Sequence, residues 1–268
     1  MTTVLKLGGE LLEDAAAIQS IASPIVRLAA RGPLVVVHGG GRAIDAELRA
    51  RGEEPRFVDG LRVTNAAALD AVVCVLAGRN NTALVAAIGA AGGRAVGLTG
   101  ADGSVGRSKR AEAFTAVSGE RVDLGLVGQP DSGDASLLND LLRLGYIPVL
   151  ASVGATSEGD LLNINADTLA GYLAAALRAQ RLIVAGATTG VLDGDGQLIA
   201  HLTADEIDRM TASGTAHSGM IAKLAACRVA LDAGVADISI VSGRGVSDFS
   251  TVDGTRIELS TSTSGQRL

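Results

Sequence analysis

Three cationic side chains, Lys6, Arg62 and Lys223, stand close to glycines. Lys6 lies in a short apolar strand and is followed by Gly8 and Gly9. A lysine in a buried strand is costly unless it pairs or meets an anion. Ligands of parallel sheets bind at the carboxyl ends of the strands, where Lys6 stands. We therefore expect Lys6 to contact an anionic ligand; the alternative is an edge lysine whose ammonium reaches solvent.

A second candidate for anion binding is residues 34–41, in which four apolar residues and His38 precede three glycines. Such a short apolar run predicts a buried parallel strand. The glycines allow a sharp turn and a close approach of the backbone to a ligand. Residues 42–51 carry Ile44 and Leu48 at helical spacing. A strand, a glycine turn and a helix start together predict a phosphate site, unless the glycines serve only close packing.

The remaining polar candidates have both a chemical and an ordinary structural explanation. Arg62 offers the guanidinium fork that suits a carboxylate, although lone arginines are usually solvated. Lys223 stands near the start of a predicted helix and could contact phosphate, or it could be a surface lysine. Asn163 and Asp167 flank Asn165, which is predicted to cap a helix. Capping alone could explain this cluster.

Strand-like and helix-like stretches alternate along the chain, which predicts an α/β fold with a mainly parallel sheet and helices on both faces. Residues 104–128 are predicted to form short antiparallel strands, and Thr64 to cap the helix that follows it. Helices are predicted at 15–30, 42–51, 65–91, 136–144, 165–180, 204–213 and 219–233, and longer strands at 4–7, 34–37, 95–98, 147–150, 182–185 and, as the last strand, 238–241.

Composition limits the class of protein. The chain has 268 residues, of which 47% are hydrophobic but only 2% aromatic, so the core must be aliphatic. A net charge of −6 argues against a nucleic-acid partner. Cys74 and Cys227 are isolated, which predicts reduced core residues of a cytoplasmic protein. A strand pattern follows Met1 at once and no apolar run approaches transmembrane length, so neither a signal peptide nor a membrane span is expected.

Several familiar chemistries are absent from the sequence. There is no P-loop, and Ile44 stands where a dinucleotide-binding glycine fingerprint would need its last glycine. The histidines His38, His201 and His217 are scattered and the cysteines are far apart, which disfavours zinc. A serine hydrolase would need a G-x-S-x-G elbow, which is missing.

Five motifs, taken in order, resemble the amino acid kinase family, and within it the branch that phosphorylates N-acetyl-L-glutamate on the way to arginine. The resemblance spans nearly the whole chain and implies a three-layer αβα sandwich with a mainly parallel central sheet. The motifs are Lys6-Leu7-Gly8-Gly9, His38-Gly39-Gly40-Gly41, Gly60-Leu61-Arg62-Val63-Thr64, Asn163-Ile164-Asn165-Ala166-Asp167 and Gly219-Met220-Ile221-Ala222-Lys223.

The resemblance also implies roles for individual residues. Lys6 and Lys223 are expected to hold the phosphates of ATP, with Asp167 orienting both lysines. Arg62 and Asn163 are expected to bind the acyl amino acid. Backbone N–H groups of Gly8, Gly9, Gly39 and Gly40 are expected to line the phosphoryl path. Those of Gly39 and Gly40 are also expected to contact the amino acid. An N-terminal lobe, 1–170, would bind the amino acid and dimerise, and a C-terminal lobe, 171–268, would bind ATP.

The reaction implied is transfer of phosphate from ATP to a side-chain carboxylate, which is ionised at neutral pH because its pKa is about 4.3. No general base is needed, and lysines with backbone N–H groups can neutralise the moving phosphoryl group. Mg²⁺ would be bound through the nucleotide phosphates, without a protein metal site. The sequence departs from the family at Ala187, where aspartate is usual, and at Ser218, where glycine or aspartate is common.

Two other functions fit the same motifs. One is a kinase for aminoadipate or glutamate attached to an acidic carrier protein, for which Arg107, Lys109 and Arg110 could supply a basic patch. The other is a catalytically inactive regulator that keeps the amino-acid pocket. For assembly, we expect a homodimer joined through the helix at 65–91. Few residues precede Lys6, so no hexamer-forming N-terminal helix and no inhibition by arginine are expected.

Overall fold

The structure is a computed structural model that describes residues 1–116, 118–213 and 218–258. It confirms the α/β architecture with a mainly parallel central sheet between helical layers. The helices are α1 Ala15–Ala29, α2 Gly41–Ala50, α3 Ala66–Val73, α4 Asn81–Ala90, α5 Ser136–Arg143, α6 Ala166–Ala176, α7 Ala204–Ser213 and α8 Ser218–Asp232. The strands are β1 Thr3–Leu7, β2 Leu34–His38, β3 Phe57–Val58, β4 Leu61–Arg62, β5 Ala95–Thr99, β6 Ser108–Arg110, β7 Phe114–Thr115, β8 Arg121–Val122, β9 Val127–Pro130, β10 Ile147–Ala151, β11 Val153–Ala155, β12 Leu161–Ile164, β13 Arg181–Gly186, β14 His201–Thr203, β15 Asp237–Ser242 and β16 Gly254–Glu258.

The main sheet has eight strands in the order β14-β16-β15-β13-β1-β2-β10-β5. All neighbouring pairs are parallel except β15 with β16. Strand β1 lies near the middle, and its Lys6 is in register with Val184 on one side and Val37 on the other. The prediction that 238–241 is the last strand was wrong, because β16 follows and pairs antiparallel with β15.

The two faces of β1 bury different side chains. Val4 packs in the cluster that includes α6 and α8, whereas Leu5 and Leu7 pack in the cluster with α1 and α4. Because side chains alternate along a strand, Lys6 points to the same face as Val4. The only charged side chain of this strand is therefore directed towards the layer of α6.

One long helical run, Ala66–Ala90, contains α3, a π-helical segment Cys74–Asn80 and α4. Its cap is Asn65, whose side chain accepts the N–H of Ala68 at 2.8 Å; the prediction of Thr64 as the cap was wrong. By length and composition alone the run could cross a membrane, and 44% of its most apolar window is buried inside the protein.

Some predicted features differ in detail. Helix α6 ends at Ala176, earlier than the predicted residue 180. Cys227 is buried as expected, but Cys74 is exposed, and both are free thiols. Residues 104–128 form the predicted short antiparallel pairs, with β6 paired to β9 and β7 to β8.

Candidate active site

Lys6 and Asp167 form a buried ion pair, with 2.8 Å between Nζ and Oδ1 and side chains 5% and 8% exposed. Asp167 is held at the start of α6 because the Asn165 side chain caps this helix, accepting the N–H groups of Asp167 and Thr168. Among the described residues Asp167 Oδ1 accepts no hydrogen bond from any other side chain or backbone group, so Lys6 is its partner. Removing either partner would leave an uncompensated buried charge.

The two predicted glycine turns touch each other beside this pair. A Cβ on Gly9 would lie 2.6 Å from the Cα of Gly40, so only glycine fits at Gly9. The N–H of Gly8 donates to Ala185 and that of Gly39 to Leu7, at 2.8 and 3.4 Å. These two N–H groups are therefore occupied by the sheet. Among the described residues, the N–H groups of Gly9 and Gly40 have no backbone acceptor and can serve a ligand.

A cavity of about 210 Å³ opens beside the turns. It brings together most of the predicted site: Lys6, Gly9, Gly39, Gly40, Arg62, Asn163 and Asp167 line it. Gly8 and Lys223 are not among its lining residues within the described part of the chain. The cavity is thus bounded by one buried ion pair, two glycine turns and the β3–β4 hairpin.

Arg62 is 8% exposed and is held in place from three sides. Its Nη2 lies 2.6 Å from Asp45 Oδ1 and donates to the Gly41 carbonyl at 3.2 Å. Its guanidinium carbon lies 4.5 Å from the centre of the Phe57 ring. The second amino group, Nη1, is buried without a hydrogen-bond partner. A buried unpaired donor is costly, and this one lies within a residue that lines the cavity.

Asn163 is positioned by a hydrogen bond to Thr64, a buried residue two positions beyond Arg62. Its Nδ2 donates to Thr64 Oγ1 at 3.0 Å, and the Thr64 hydroxyl donates to the Arg62 carbonyl at 3.2 Å. Thr64 is completely buried. The two predicted substrate-binding residues are therefore connected through one threonine hydroxyl.

His38 is the buried residue that immediately precedes the second glycine turn. It is fully buried, and burial lowers its pKa to about 4 from 6.5, opposed in part by a hydrogen bond with Gly39. Asn81 Nδ2 lies 3.1 Å from Nε2 and also donates to the Val149 carbonyl at 2.9 Å. The donor at Nε2 requires a neutral imidazole whose Nδ1–H faces the Gly39 carbonyl at 3.3 Å.

Lys223 lies on α8, outside the cavity. Helices α6 and α8 pack closely because Gly171 has no side chain; a Cβ there would lie 2.6 Å from the Ala226 carbonyl oxygen. Lys223 is half-buried and its Nζ donates to the Gly219 carbonyl at 3.3 Å. Burial raises the pKa of the Cys227 thiol, the Asp167 carboxylate adds to this, and the ammonium of Lys223 opposes it.

The structure therefore pairs Asp167 with Lys6, whereas among the described residues Lys223 makes no ion pair. The expected contact between Asp167 and Lys223 stays a prediction. Two functional neighbours were missed by sequence reasoning. Asp45 could have been suspected from its place next to Ile44 on α2, but Asn81 gave no signal, because its contacts join strands distant in sequence.

The contacts of Ala187, where the sequence departs from the family pattern, and of Arg110, in the possible basic patch, are described by the structure. The N–H of Ala187 donates to Glu10 Oε1 at 3.0 Å, and the side chain of Ser218 lies outside the described part. Arg110 is engaged by the Gly125 carbonyl and by Asp123. The patch that would favour a carrier protein is thus partly neutralised.

Comparison with known proteins agrees with this geometry. The profile of the amino acid kinase family matches residues 1–242. The chain is 43% identical over 253 residues to the acetylglutamate kinase of Novosphingobium aromaticivorans, covering 91% of this chain and 84% of that one. It is 43% identical over 248 residues to the acetylglutamate kinase of Erythrobacter litoralis, covering 91% and 83%.

Solved structures agree on the fold. The protein smu.665 of Streptococcus mutans superposes with a TM-score of 0.80 at 27% identity, covering 96% of this chain and 98% of that one. The carbamate kinase of Giardia lamblia superposes with a TM-score of 0.68 at 16% identity, covering 96% and 98%, which supports the fold alone. The chain belongs to the amino acid kinase family, among its acetylglutamate kinases.

Proposed function

We propose that the chain transfers the γ-phosphoryl group of ATP to the side-chain carboxylate of N-acetyl-L-glutamate, a step of arginine biosynthesis. The observation that carries this proposal is the cavity that the buried Lys6–Asp167 pair and the guanidinium-bearing Arg62 line together. The curated relatives, named acetylglutamate kinase, support the same substrate.

The chemistry needs charge compensation rather than a base. The substrate carboxylate is ionised at neutral pH, so one of its oxygens can attack the γ-phosphorus while the bond to the ADP oxygen breaks. The ammonium of Lys6, held in place by Asp167, would face the phosphoryl group from the cavity side. The N–H groups of Gly9 and Gly40 would add two fixed donors, and Lys223 would act from the nucleotide side.

Arg62 and Asn163 would bind the amino acid. Asp45 holds Nη2 and so fixes the guanidinium beside the cavity, where its positive charge would attract a substrate carboxylate. Asn163 donates its amide N–H to Thr64, so its carbonyl oxygen can accept from the acetamido N–H of the substrate. These contacts would hold the substrate at a carboxylate and at its acetamido N–H.

Mg²⁺ would accompany the nucleotide. Among the described residues, no three His, Cys, Asp or Glu side chains come together as a metal site. Such a protein fits a cation held mainly by phosphate oxygens, as Mg²⁺ commonly is in phosphoryl-transfer sites. When bound, the ion would neutralise phosphate charge.

We further propose a division into an amino-acid lobe, 1–170, and a nucleotide lobe, 171–268. Strands from the first part form the β1-β2-β10-β5 half of the sheet, and strands from the second form the other half. We also propose a cytoplasmic homodimer joined through the helical run Ala66–Ala90. The half-exposed alanines of α4 beside α1 support this interface, because small side chains allow close helix packing.

An assay of ADP release with N-acetylglutamate, glutamate and N-acetylaspartate tests the proposal. We expect activity with N-acetylglutamate well above that with the other two acceptors. A carrier-linked substrate would give no activity with any free acid until a carrier protein was supplied. An inactive regulator would bind N-acetylglutamate in calorimetry without releasing ADP.

A further inference from the structure

The carboxylate of Glu10 lies on the far side of the β1 glycine turn from the amino-acid cavity. A Cβ on Gly8 would lie 2.5 Å from both carboxylate oxygens of Glu10, so the absence of a side chain at Gly8 makes room for this carboxylate. Oε1 accepts the N–H of Ala187 at 3.0 Å. The carboxylate therefore bridges the carboxyl ends of β1 and β13.

Glu10 shares this position with Lys223. A Cβ on Gly186 would lie 3.1 Å from Glu10 Oε1 and 3.6 Å from Lys223 Cε, so both side chains cover the same glycine. Within the described part of the chain Glu10 makes no ion pair, and its Oε2 has no hydrogen bond. One oxygen is thus fixed by the backbone and the other is available.

We propose that Glu10 is the protein carboxylate that contacts the cation carried by the nucleotide, an inference that rests on the proposed function. A carboxylate beside the turn expected to hold phosphates repels a bare triphosphate at short range. The repulsion becomes attraction when a divalent cation lies between the two anions. Mg²⁺ is commonly held by one or two carboxylates together with substrate phosphates, and the half-buried, backbone-anchored Glu10 provides one.

The alternative is that Glu10 only satisfies the Ala187 N–H. Glu10→Gln separates the two roles, because the amide oxygen can still accept this N–H whereas the negative charge is lost. Glu13→Gln is the matched control: Glu13 is an exposed carboxylate of the same segment that pairs with Arg42 at 2.9 Å. Binding of ATP is measured by calorimetry in the absence of the amino acid. One titration contains excess Mg²⁺, and the other contains a chelator that removes Mg²⁺.

We expect Glu10→Gln to weaken Mg²⁺–ATP binding by about tenfold, or about 1.4 kcal/mol. Binding of metal-free ATP should be unchanged or tighter, since a repulsive charge is gone. The control should match the wild type in both conditions. Equal weakening of ATP with and without Mg²⁺ would assign Glu10 a purely structural role and overturn the proposal, as would no change in either.

The experiment also separates this inference from the proposed function. A wild type that binds Mg²⁺–ATP, with Glu10→Gln indistinguishable from it, overturns only the role of Glu10. A wild type that binds ATP in neither condition overturns the kinase assignment and the role of Glu10 with it.

Discussion

The cavity proposed to bind the amino acid and the side of the glycine turns proposed to bind the nucleotide are built on different principles. In the cavity, the charged side chains already have partners: Lys6 pairs with Asp167 and Arg62 with Asp45, and both cations are nearly buried. On the proposed nucleotide side, Lys223 is half-buried, and within the described part of the chain its ammonium donates to a carbonyl and makes no ion pair. The cavity is preorganised by paired charges, whereas on the other side Glu10 and Lys223 cover the same glycine without an ion pair among the described residues.

The largest effect should come from replacing the two lysines one at a time. Lys6→Ala and Lys223→Ala should each lower kcat by about 10²–10³, the usual cost of one lost transition-state donor. Only Lys6→Ala should also destabilise the fold, by about 3–5 kcal/mol, because it leaves Asp167 buried and unpaired. Urea unfolding followed by circular dichroism suits this chain, which has no tryptophan.

A double variant sharpens this comparison. Lys6→Met combined with Asp167→Leu removes both charges at once and should recover most of the stability lost in Lys6→Ala, since apolar replacement of a buried pair is often nearly neutral. Its activity should stay as low as that of Lys6→Ala. Equal loss of stability in Lys6→Ala and Lys223→Ala would contradict the contrast between the two sides.

His38 gives the cavity side a pH dependence. Burial holds its pKa near 4 in the folded protein, below the ordinary 6.5, so the unfolded chain binds the proton more readily. The stability that His38 contributes should be complete above about pH 6.5 and fall as the pH approaches 4, by about 3 kcal/mol in all. Unfolding in urea at several pH values measures this.

The matched variant for that measurement is His38→Gln, which can still accept from Asn81 but does not titrate. Carboxylates contribute to acid unfolding in both proteins, so the difference between the two curves isolates the imidazole. If the free energy of unfolding changed with pH in the same way for wild type and variant between pH 6.5 and 4, His38 would not be held neutral by the fold.

Arg62 should affect one substrate only. Arg62→Lys keeps the positive charge but loses the planar fork that Asp45 and the Gly41 carbonyl hold beside the cavity. We expect KM for N-acetylglutamate to rise by about 10- to 100-fold, the range for a lost charge-assisted contact. KM for ATP should hardly change; a selective effect on ATP would reverse the assignment of the two sides.

The sequence predicts local features well because they depend on neighbouring residues. The strand-glycine-helix unit at β2, the cap Asn165 and the exceptional Lys6 all follow from spacing and side-chain chemistry. Their convergence at the carboxyl ends of parallel strands follows from the topology that alternating strands and helices impose. The pairing of Lys6 with Asp167 was inferred from the family resemblance.

Contacts that join distant segments could not be predicted in the same way. Neither Asn81 nor Glu10 stands in a motif, and each acquires its role from a backbone group more than 60 residues away. The glycine N–H groups show the same limit: Gly8 and Gly39 looked equivalent to Gly9 and Gly40, but the register of the sheet uses the first two. Strand β16 was missed because it follows a long irregular segment.

The smallest effect should come from the hydroxyl that connects the two substrate-binding residues. Thr64→Val is nearly isosteric, but it removes the acceptor for Asn163 Nδ2 and the donor to the Arg62 carbonyl. Of these two hydrogen bonds, the one to Asn163 holds a side chain proposed to contact substrate. Loss of one neutral hydrogen bond costs about 1 kcal/mol, so KM for N-acetylglutamate should rise about fivefold while kcat and KM for ATP stay near the wild type. Thr115→Val, at an exposed position of β7, is the control. A fall in kcat without a change in KM would mean that Thr64 positions the phosphoryl path instead, and the separation between the two sides of the glycine turns would need to be redrawn.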